Sequence, residues 1–404
     1  MSIKTVDVYL NHYDLKKKVG TLATQNNTIY FEYDKTFLAS GIELSPYKLP
    51  LKNGVHICED DLFDGLFGVF ADSLADGWGK LLLDRHLMNQ GIKFKEITAL
   101  DRLSYIGSFG IGALSYEPIF EELDLNHTDI VLDDLASSCQ EILKGSSDKL
   151  LDTLLAIGGS SAGARPKVMI QINEQNHIIH GSQSLQKGYQ HYMVKFPNSL
   201  DSQDIGKIEY IYSLMARDSG INIPNTKLLQ TQTNSYFAIQ RFDRVDDKRV
   251  HIHSCAGLSH SDFRMPTVDY DDLLSLTLHL TKDKSQQVMM FRLAVFNLLT
   301  HNRDDHAKNF SFLLDEENNW KLSPAYDLTF SYGPGAEHST TYLGIGKNPS
   351  IKQLQELAQK HTIKNGDMVI DEIQTVVKKF KEYAQEQGVS KNIYENIFKN
   401  FCLS

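Results

Sequence analysis

The stretch from Leu298 to Phe310 carries the densest chemistry in this 404-residue chain. It leaves an apolar helical pattern, runs polar through His301-Asn302-Arg303-Asp304-Asp305-His306-Ala307-Lys308-Asn309, and returns to the apolar run Phe310 to Leu314. Within it stands Arg303-Asp304 with Asn309 beyond, an Arg-Asp-x-x-x-x-Asn spacing. Such spacing suits phosphoryl transfer, in which the carboxylate takes the proton of an acceptor hydroxyl and the amide oxygen holds magnesium. Asp304 is the candidate base. Lys308, beside the metal ligand, would touch the transferred phosphate. Downstream, Pro324-Ala325-Tyr326-Asp327 supplies a second isolated carboxylate, Asp327, as the other magnesium ligand. Upstream, Met193-Val194-Lys195-Phe196 supplies a strand lysine for the α- and β-phosphates.

A different chemistry fits some of the same residues. His301, Asp304, Asp305 and His306 are all potential transition-metal ligands of a hydrolase. That reading leaves Asn309, Asp327 and Lys195 without a task. His251, His253 and Cys255 alternate on an expected strand, with His260 near, but meet no standard zinc spacing.

These residues need elements to hold them. Alternation in Tyr192 to Lys195 predicts a strand that turns Lys195 into a cleft. Asp204 to Ser219 has helical apolar spacing through Ile208, Ile211, Leu214 and Met215, and it carries Glu209, placed to pair with Lys195. Thr226 to Leu229 and Ser235 to Gln240 read as strands, after which Arg241-Phe-Asp-Arg-Val leaves the sheet where a kinase keeps its adenine-binding hinge. Gly158-Gly159-Ser160-Ser161-Ala162-Gly163-Ala164-Arg165-Pro166-Lys167 precedes the strand Val168 to Ile172. Its glycines have the separation of a phosphate-binding loop of NTPases, but Ala164-Arg165 stand where Lys and Ser or Thr are needed, and a strand follows instead of a helix. Its backbone N–H groups would still cover phosphates. Gly107 to Gly112 lacks the spacing of a dinucleotide site.

The N-terminal part reads as β-rich: strands over residues 4–10, Val19 to Leu22 and Thr28 to Tyr33, with polar Asn11 to Lys18 between the first two. Asp72 or Ser73 is the expected cap of a helix from Lys80 to Asn89, and Trp78 between two glycines is the expected core anchor. Leu123 to Asp134 reads as an acidic surface connection. Helices are predicted over Leu132–Leu143, Asp148–Ile157, 269–281, 285–300, one long span Asp367–Gln387, and Lys391–Cys402.

A composition of 41% hydrophobic and 23% charged residues is that of a globular protein with room for two or three domains. The net charge of −10 argues against unaided DNA binding. Four scattered cysteines, Cys58, Cys139, Cys255 and Cys402, suggest neither a disulfide framework nor a zinc knuckle. The N-terminus has no signal-peptide core and no apolar run reaches membrane-spanning length, so a cytoplasmic protein is expected.

Six motifs in order resemble the HipA family of bacterial serine/threonine kinases, the toxins of type II toxin–antitoxin modules: Ala71 to Gly79 (ADSLADGWG), Ser160 to Lys167 (SSAGARPK), Val194 to Pro197 (VKFP), Gln240 to Arg244 (QRFDR), Asn302 to Asn309 (NRDDHAKN) and Ala325 to Asp327 (AYD). The resemblance implies an α+β, two-lobed protein-kinase-like fold: an extra N-terminal β-rich subdomain (1–115), a kinase N-lobe (116–240) and a mainly helical C-lobe (241–404). It implies that ATP and Mg2+ are used, with Asp304 and Lys308 catalytic and Asn309 and Asp327 on the metal. Lys195, Glu209, His306, Ser161, Ala162, Gly163 and the backbone of Ile239, Gln240 and Arg241 would serve the nucleotide. Ser160, or Ser161 beside it, matches the loop serine that members autophosphorylate; charge of nearly −2 there would repel ATP and silence the enzyme. Ser161-Ala162 depart from the small glycines often found, and Gln240 stands where an acidic residue can occur. The implied partners are a HipB-like DNA-binding antitoxin, through which alone DNA would be reached, and a protein substrate such as an aminoacyl-tRNA synthetase, the glutamyl enzyme for example. A small-molecule kinase and a non-catalytic, antitoxin-binding adaptor are the other readings.

Overall fold

The computed structural model describes residues 3–58, 60–93, 96–119, 130–146, 150–159, 163–181 and 184–403. The first sheet is antiparallel, in the order Val55–Ile57, Thr28–Tyr33, Leu15–Gln25, Thr5–His12, Leu114–Glu117. Period-two alternation drives Val6, Val8 and Leu10 of one strand to one buried face. The polar run Asn11 to Lys18 is no connection. Both strands continue through it and meet at a tight turn where Tyr13 has φ 49°. The core under this sheet also takes Leu258, Phe312, Leu314 and Trp320 from the C-terminal half. The last three belong to a small sheet of Ile252–Ser254, Ser311–Leu314 and Trp320–Leu322 or to its partners in the same core.

The second sheet has the order Ile178–His180, Lys167–Asn173, Tyr189–Lys195, Ser235–Gln240, Thr226–Gln230. Val168, Ile170, Tyr192, Val194 and Ala238 point to one face, where helices Gly77–Asn89, Leu132–Lys144 and Leu151–Gly158 close a core around Trp78. The opposite face receives Lys167 and Lys195, directly paired across neighbouring strands. The helix of Glu209, Ile205–Asp218, packs with Tyr270–Thr281, Lys284–Leu299, Ile351–Lys360, Gly366–Val377, Phe380–Glu386 and Lys391–Phe398 in the helical core.

Several expectations shift. The helix expected from Lys80 begins at Gly77 with Asp76 at its cap position, and neither Asp72 nor Ser73 caps it. Asp72 instead accepts hydrogen bonds from His253 Nδ1 (2.6 Å), Ser254 N (2.7 Å) and Ser254 Oγ (2.6 Å). The long helix over Asp367–Gln387 is broken at Lys378-Lys379, and the last helix stops at Phe398; the break lets Phe380 stack parallel on Phe398, with ring centroids 6.4 Å apart. Only Ile252–Ser254 is strand near the histidines, and Cys255 opens a short helix. Most of the acidic connection at Leu123 to Asp134 lies outside the described residues. Among the described residues no helix is long and apolar enough to cross a membrane.

Candidate active site

The polar stretch after the apolar helix is held from below by buried polar groups. Tyr212 Oη donates to Thr300 O (2.6 Å), and Asn302 Nδ2 donates to Asn297 Oδ1 (3.0 Å). Asp305 is wholly buried and accepts from Tyr270 Oη (2.8 Å), His338 Nδ1 (2.8 Å) and the amides of Ser339 (2.9 Å) and Thr340 (3.2 Å). Arg303 reaches Ala336 O (2.5 Å) and Asn348 Oδ1 (3.0 Å). The two neighbours of Asp304 are therefore fixed in the protein, and Asp304 itself is left facing the cleft.

This pinning dismantles the metal-hydrolase cluster. His301 turns to stack on Phe330 at 5.5 Å, and Asp305 turns into the core, so His301, Asp304, Asp305 and His306 do not converge. The His251 and His253 pair is buried as well: His251 Nε2 meets Leu44 O (3.2 Å), and His253 lies between Ser45 and Asp72.

The other candidates do converge. Lys195 Nζ lies 2.5 Å from Asp327 Oδ1 and 2.9 Å from Glu209 Oε2. Glu209 is shared, since Arg165 Nη1 reaches its Oε1 at 2.7 Å while the rest of the Arg165 fork grips Asp201 at 2.9 and 3.0 Å. Burial alone would lower the Lys195 pKa, but Asp327 and then Glu209 outweigh it and hold it above the usual 10.5. Burial alone would raise that of Asp327; Lys195 and Lys167 bring it well below 3.8. Lys167 has its pKa lowered, by burial first and partly by Lys195 opposite, against the pull of Asp327. Asp327 adopts the left-handed region, φ 57°, a strained setting for a non-glycine residue that is common at functional sites.

Asp304 differs from these paired groups. Partial desolvation in the cleft raises its pKa, His306 opposes this, and Asp327 and Asp305 add to it. A carboxylate pushed upward toward neutrality is better matched to taking a proton. Asn309 Nδ2 donates to Asp304 O (2.7 Å), which leaves the amide oxygen as its cation ligand. His306 Nδ1 is buried with no hydrogen-bond partner among the described residues, an orphan that a phosphate oxygen would satisfy. Lys308 Nζ lies 2.7 Å from Asp76 Oδ2 and 4.3 Å from the Phe263 ring centre. The oxygen donors Asn309 and Asp327 fit magnesium, and the cationic face of Lys167, Lys195 and Arg165 fits a polyphosphate.

At the expected hinge the backbone amides are already occupied. The amide of Gln240 is bonded to Asn225 O (2.8 Å) and that of Arg241 to His191 O (2.9 Å), so both are spent in the sheet, as Ile239 is by its pairing with Met193 and Thr226. The amide of Phe242, the next residue, has no partner among the described residues, and its ring lies 5.5 Å from that of Tyr326. Beyond it, Asp243 accepts from Arg241 (2.7 Å), Arg244 (2.8 Å) and Gly112 N (2.8 Å), tying the hinge to the N-terminal subdomain. Gly163 is described; Ser160, Ser161 and Ala162 lie outside the described residues.

Sequence reasoning missed Arg165, Lys167, Asp76 and Phe242 as members of this site. The alternation Arg165-Pro-Lys167 before a strand was the signal for the first two.

Residues 6–117 match the HipA N-terminal domain, and residues 159–387 match the HipA-like C-terminal domain. The chain belongs to the HipA family. A HipA structure from Shewanella oneidensis MR-1, solved with HipB and its operator DNA, superposes with a TM-score of 0.71 at 17% identity, over 98% of this chain and 96% of that one. The fold is accordingly the two-lobed, protein-kinase-like one. Among curated relatives, a Haemophilus influenzae protein provisionally named a kinase is 24% identical over 58% of this chain and 69% of its own length. Y4dM of Sinorhizobium fredii, named likewise, is 26% identical over 47% and 50%. The serine/threonine-protein kinase toxin HipA of Shewanella oneidensis is 29% identical over 30% of this chain and 33% of its own length. The HipA-family chain thus spans from a third to about two thirds of these relatives.

Proposed function

We propose that this chain is an ATP- and magnesium-dependent protein serine/threonine kinase and the toxin of a toxin–antitoxin pair. The observation that carries the reading is the convergence of Lys195, Glu209 and Asp327 within 2.9 Å on the cleft that Asp304 and Asn309 also enter. Lys195, fixed by Glu209, binds α- and β-phosphate oxygens, and Lys167 and Arg165 add positive charge beside it. Asp304 accepts the proton of the acceptor hydroxyl as the hydroxyl oxygen bonds the γ-phosphorus of ATP and ADP leaves with the bridging oxygen. Magnesium, held by Asn309 and Asp327, supplies neutralisation of phosphate charge when bound. His306 and Lys308 flank the transferred group.

The finer proposals follow the family. The acceptor is a serine of a protein, an aminoacyl-tRNA synthetase such as the glutamyl enzyme being one choice, and the chain's own Ser160 or Ser161, whose modification silences it. A HipB-like antitoxin is the partner and the route to DNA, and the cytoplasm is the compartment. The Shewanella HipA solved with HipB and operator DNA supports the antitoxin proposal. Incubation with radiolabelled ATP and a bacterial lysate tests the reading. Label on a discrete protein band, lost in Lys195→Met, supports it; label confined to small metabolites would replace it with a small-molecule kinase.

A further inference from the structure

Two parts of the cleft far apart in the chain meet on a carboxylate that the chemistry above does not use. Asp76 Oδ2 accepts from Lys308 Nζ at 2.7 Å, and Asp76 Oδ1 accepts the amide N–H of Gly163. The next amide but one, Trp78 N, donates to Gly163 O at 2.9 Å. One turn thus grips both sides of the Gly163 residue, at the end of the glycine- and serine-rich loop. Gly77 between them has φ 47°, and a Cβ there would lie 2.4 Å from Gly163 O and 2.9 Å from Ala164 Cα, so only glycine lets the turn lie this close.

Asp76 occupies the cap position of the helix Gly77–Asn89 yet makes no cap hydrogen bond. Its side chain is diverted from where helix stability alone would put it. Burial would raise its pKa, but Lys308, the Gly163 amide and Lys167 bring it below 3.8, so it is ionised at neutral pH. Lys308, held by this carboxylate on one side and by the Phe263 ring on another, loses the rotamer freedom a lysine normally keeps.

We propose that Asp76 is a positioning residue for phosphoryl transfer: it fixes Lys308 and the Gly163 backbone in one geometry, so that the turn leading into the helix Gly77–Asn89 completes the active site. The inference rests on the kinase reading. Geometry at the phosphate end governs turnover more than nucleotide affinity, because small misplacements there weigh heavily on rate.

The test uses the full chain as wild type, Asp76→Asn, Lys308→Met and the double variant, with ATP turnover, ADP affinity by calorimetry, and amide exchange over residues 163–167. Asp76→Asn is expected to lower kcat by about tenfold or more while ADP affinity stays within about threefold. The double variant is expected to be no slower than the worse single variant, since both remove one contact. Exchange at the Gly163 amide should stay near wild type in Asp76→Asn, whose amide oxygen still accepts it, and in Lys308→Met, and should accelerate in Asp76→Ala. A kcat for Asp76→Asn close to wild type, or losses that multiply in the double variant, overturns the inference while leaving the kinase intact. A wild-type chain with no transfer removes the kinase reading, and this inference with it. If Asp76→Asn fails to fold, Asp76→Glu, which keeps the charge but displaces the carboxylate from Lys308 and the Gly163 amide, applies the same kinetic test: kcat close to wild type overturns the inference.

Discussion

Ser45, His253 and Asp72 stand in a row, with His253 Nε2 3.0 Å from Ser45 Oγ and Nδ1 2.6 Å from Asp72 Oδ2. Glu209, Lys195 and Asp327 stand in another, at 2.9 and 2.5 Å. By residue type the first row looks the more reactive, since it has the order of a serine hydrolase triad. Yet Ser45 is 1% and His253 0% exposed, and Asp72 is also bonded to the amide and hydroxyl of Ser254. No substrate carbonyl reaches that serine. The row ties the N-terminal subdomain to the strand Ile252–Ser254, joining elements about two hundred residues apart. The second row has shared partners, like charges paired across strands, a strained aspartate and a nearby carboxylate with a raised pKa. Hydrogen-bonding distance alone does not make a site; surplus charge and access to a cleft do.

The largest effect should come from Asp304→Asn. Phosphoryl transfer should fall by about 10²- to 10⁴-fold, with the unfolding midpoint unchanged or slightly higher. The sign follows from the raised pKa: the ionised carboxylate opposes folding above that pKa, and the amide removes the opposition. The same shift places the acid limb of the pH–rate profile above the usual carboxylate value of 3.8. Lys195→Met comes next, with a loss of about 10²-fold in turnover, because Asp327 loses its nearest cation while Glu209 keeps Arg165.

Asp72→Ala should break the comparison if the sealed row is chemical. It strands His253 Nδ1 and two Ser254 donors, so a loss of about 3–5 kcal/mol in unfolding free energy is expected, with activity following the folded fraction. A stable Asp72→Ala protein lacking activity would contradict that assignment. The smallest effect concerns acid stability. Asp327 has a depressed pKa, so its contribution is present above 3.8 and is lost as pH falls toward its folded-state value. Asp327→Asn should therefore be less stable than wild type at pH 7, and the difference should shrink below about pH 4 in denaturant titrations.

The site was legible in the sequence wherever one local segment carries both type and spacing. Asp304 and Asn309 share a loop, Lys195 sits on an alternating strand, and Glu209 rides the next helix. What was hidden depends on pairing across the fold. Asp76 meets Lys308 from a distant part of the chain, and Arg165 reaches Glu209 on the helix Ile205–Asp218. That the amides of Gln240 and Arg241 are taken by Asn225 and His191 was hidden too, because strand register is not encoded in composition. The break at Lys378-Lys379 was hidden for a like reason: the apolar stripe continues across it, while the contact of Phe380 with Phe398 is tertiary.

The most direct test of the central claim is intact-mass spectrometry of the purified chain and of Asp304→Asn, each before and after magnesium and ATP, with peptide mapping and a phosphatase-treated control. The account predicts an added phosphate on the wild type, mapped to Ser160 or Ser161, and none on Asp304→Asn. A phosphatase-treated wild type that binds ATP yet gains no phosphate and labels no lysate protein would contradict it and favour the antitoxin-binding adaptor.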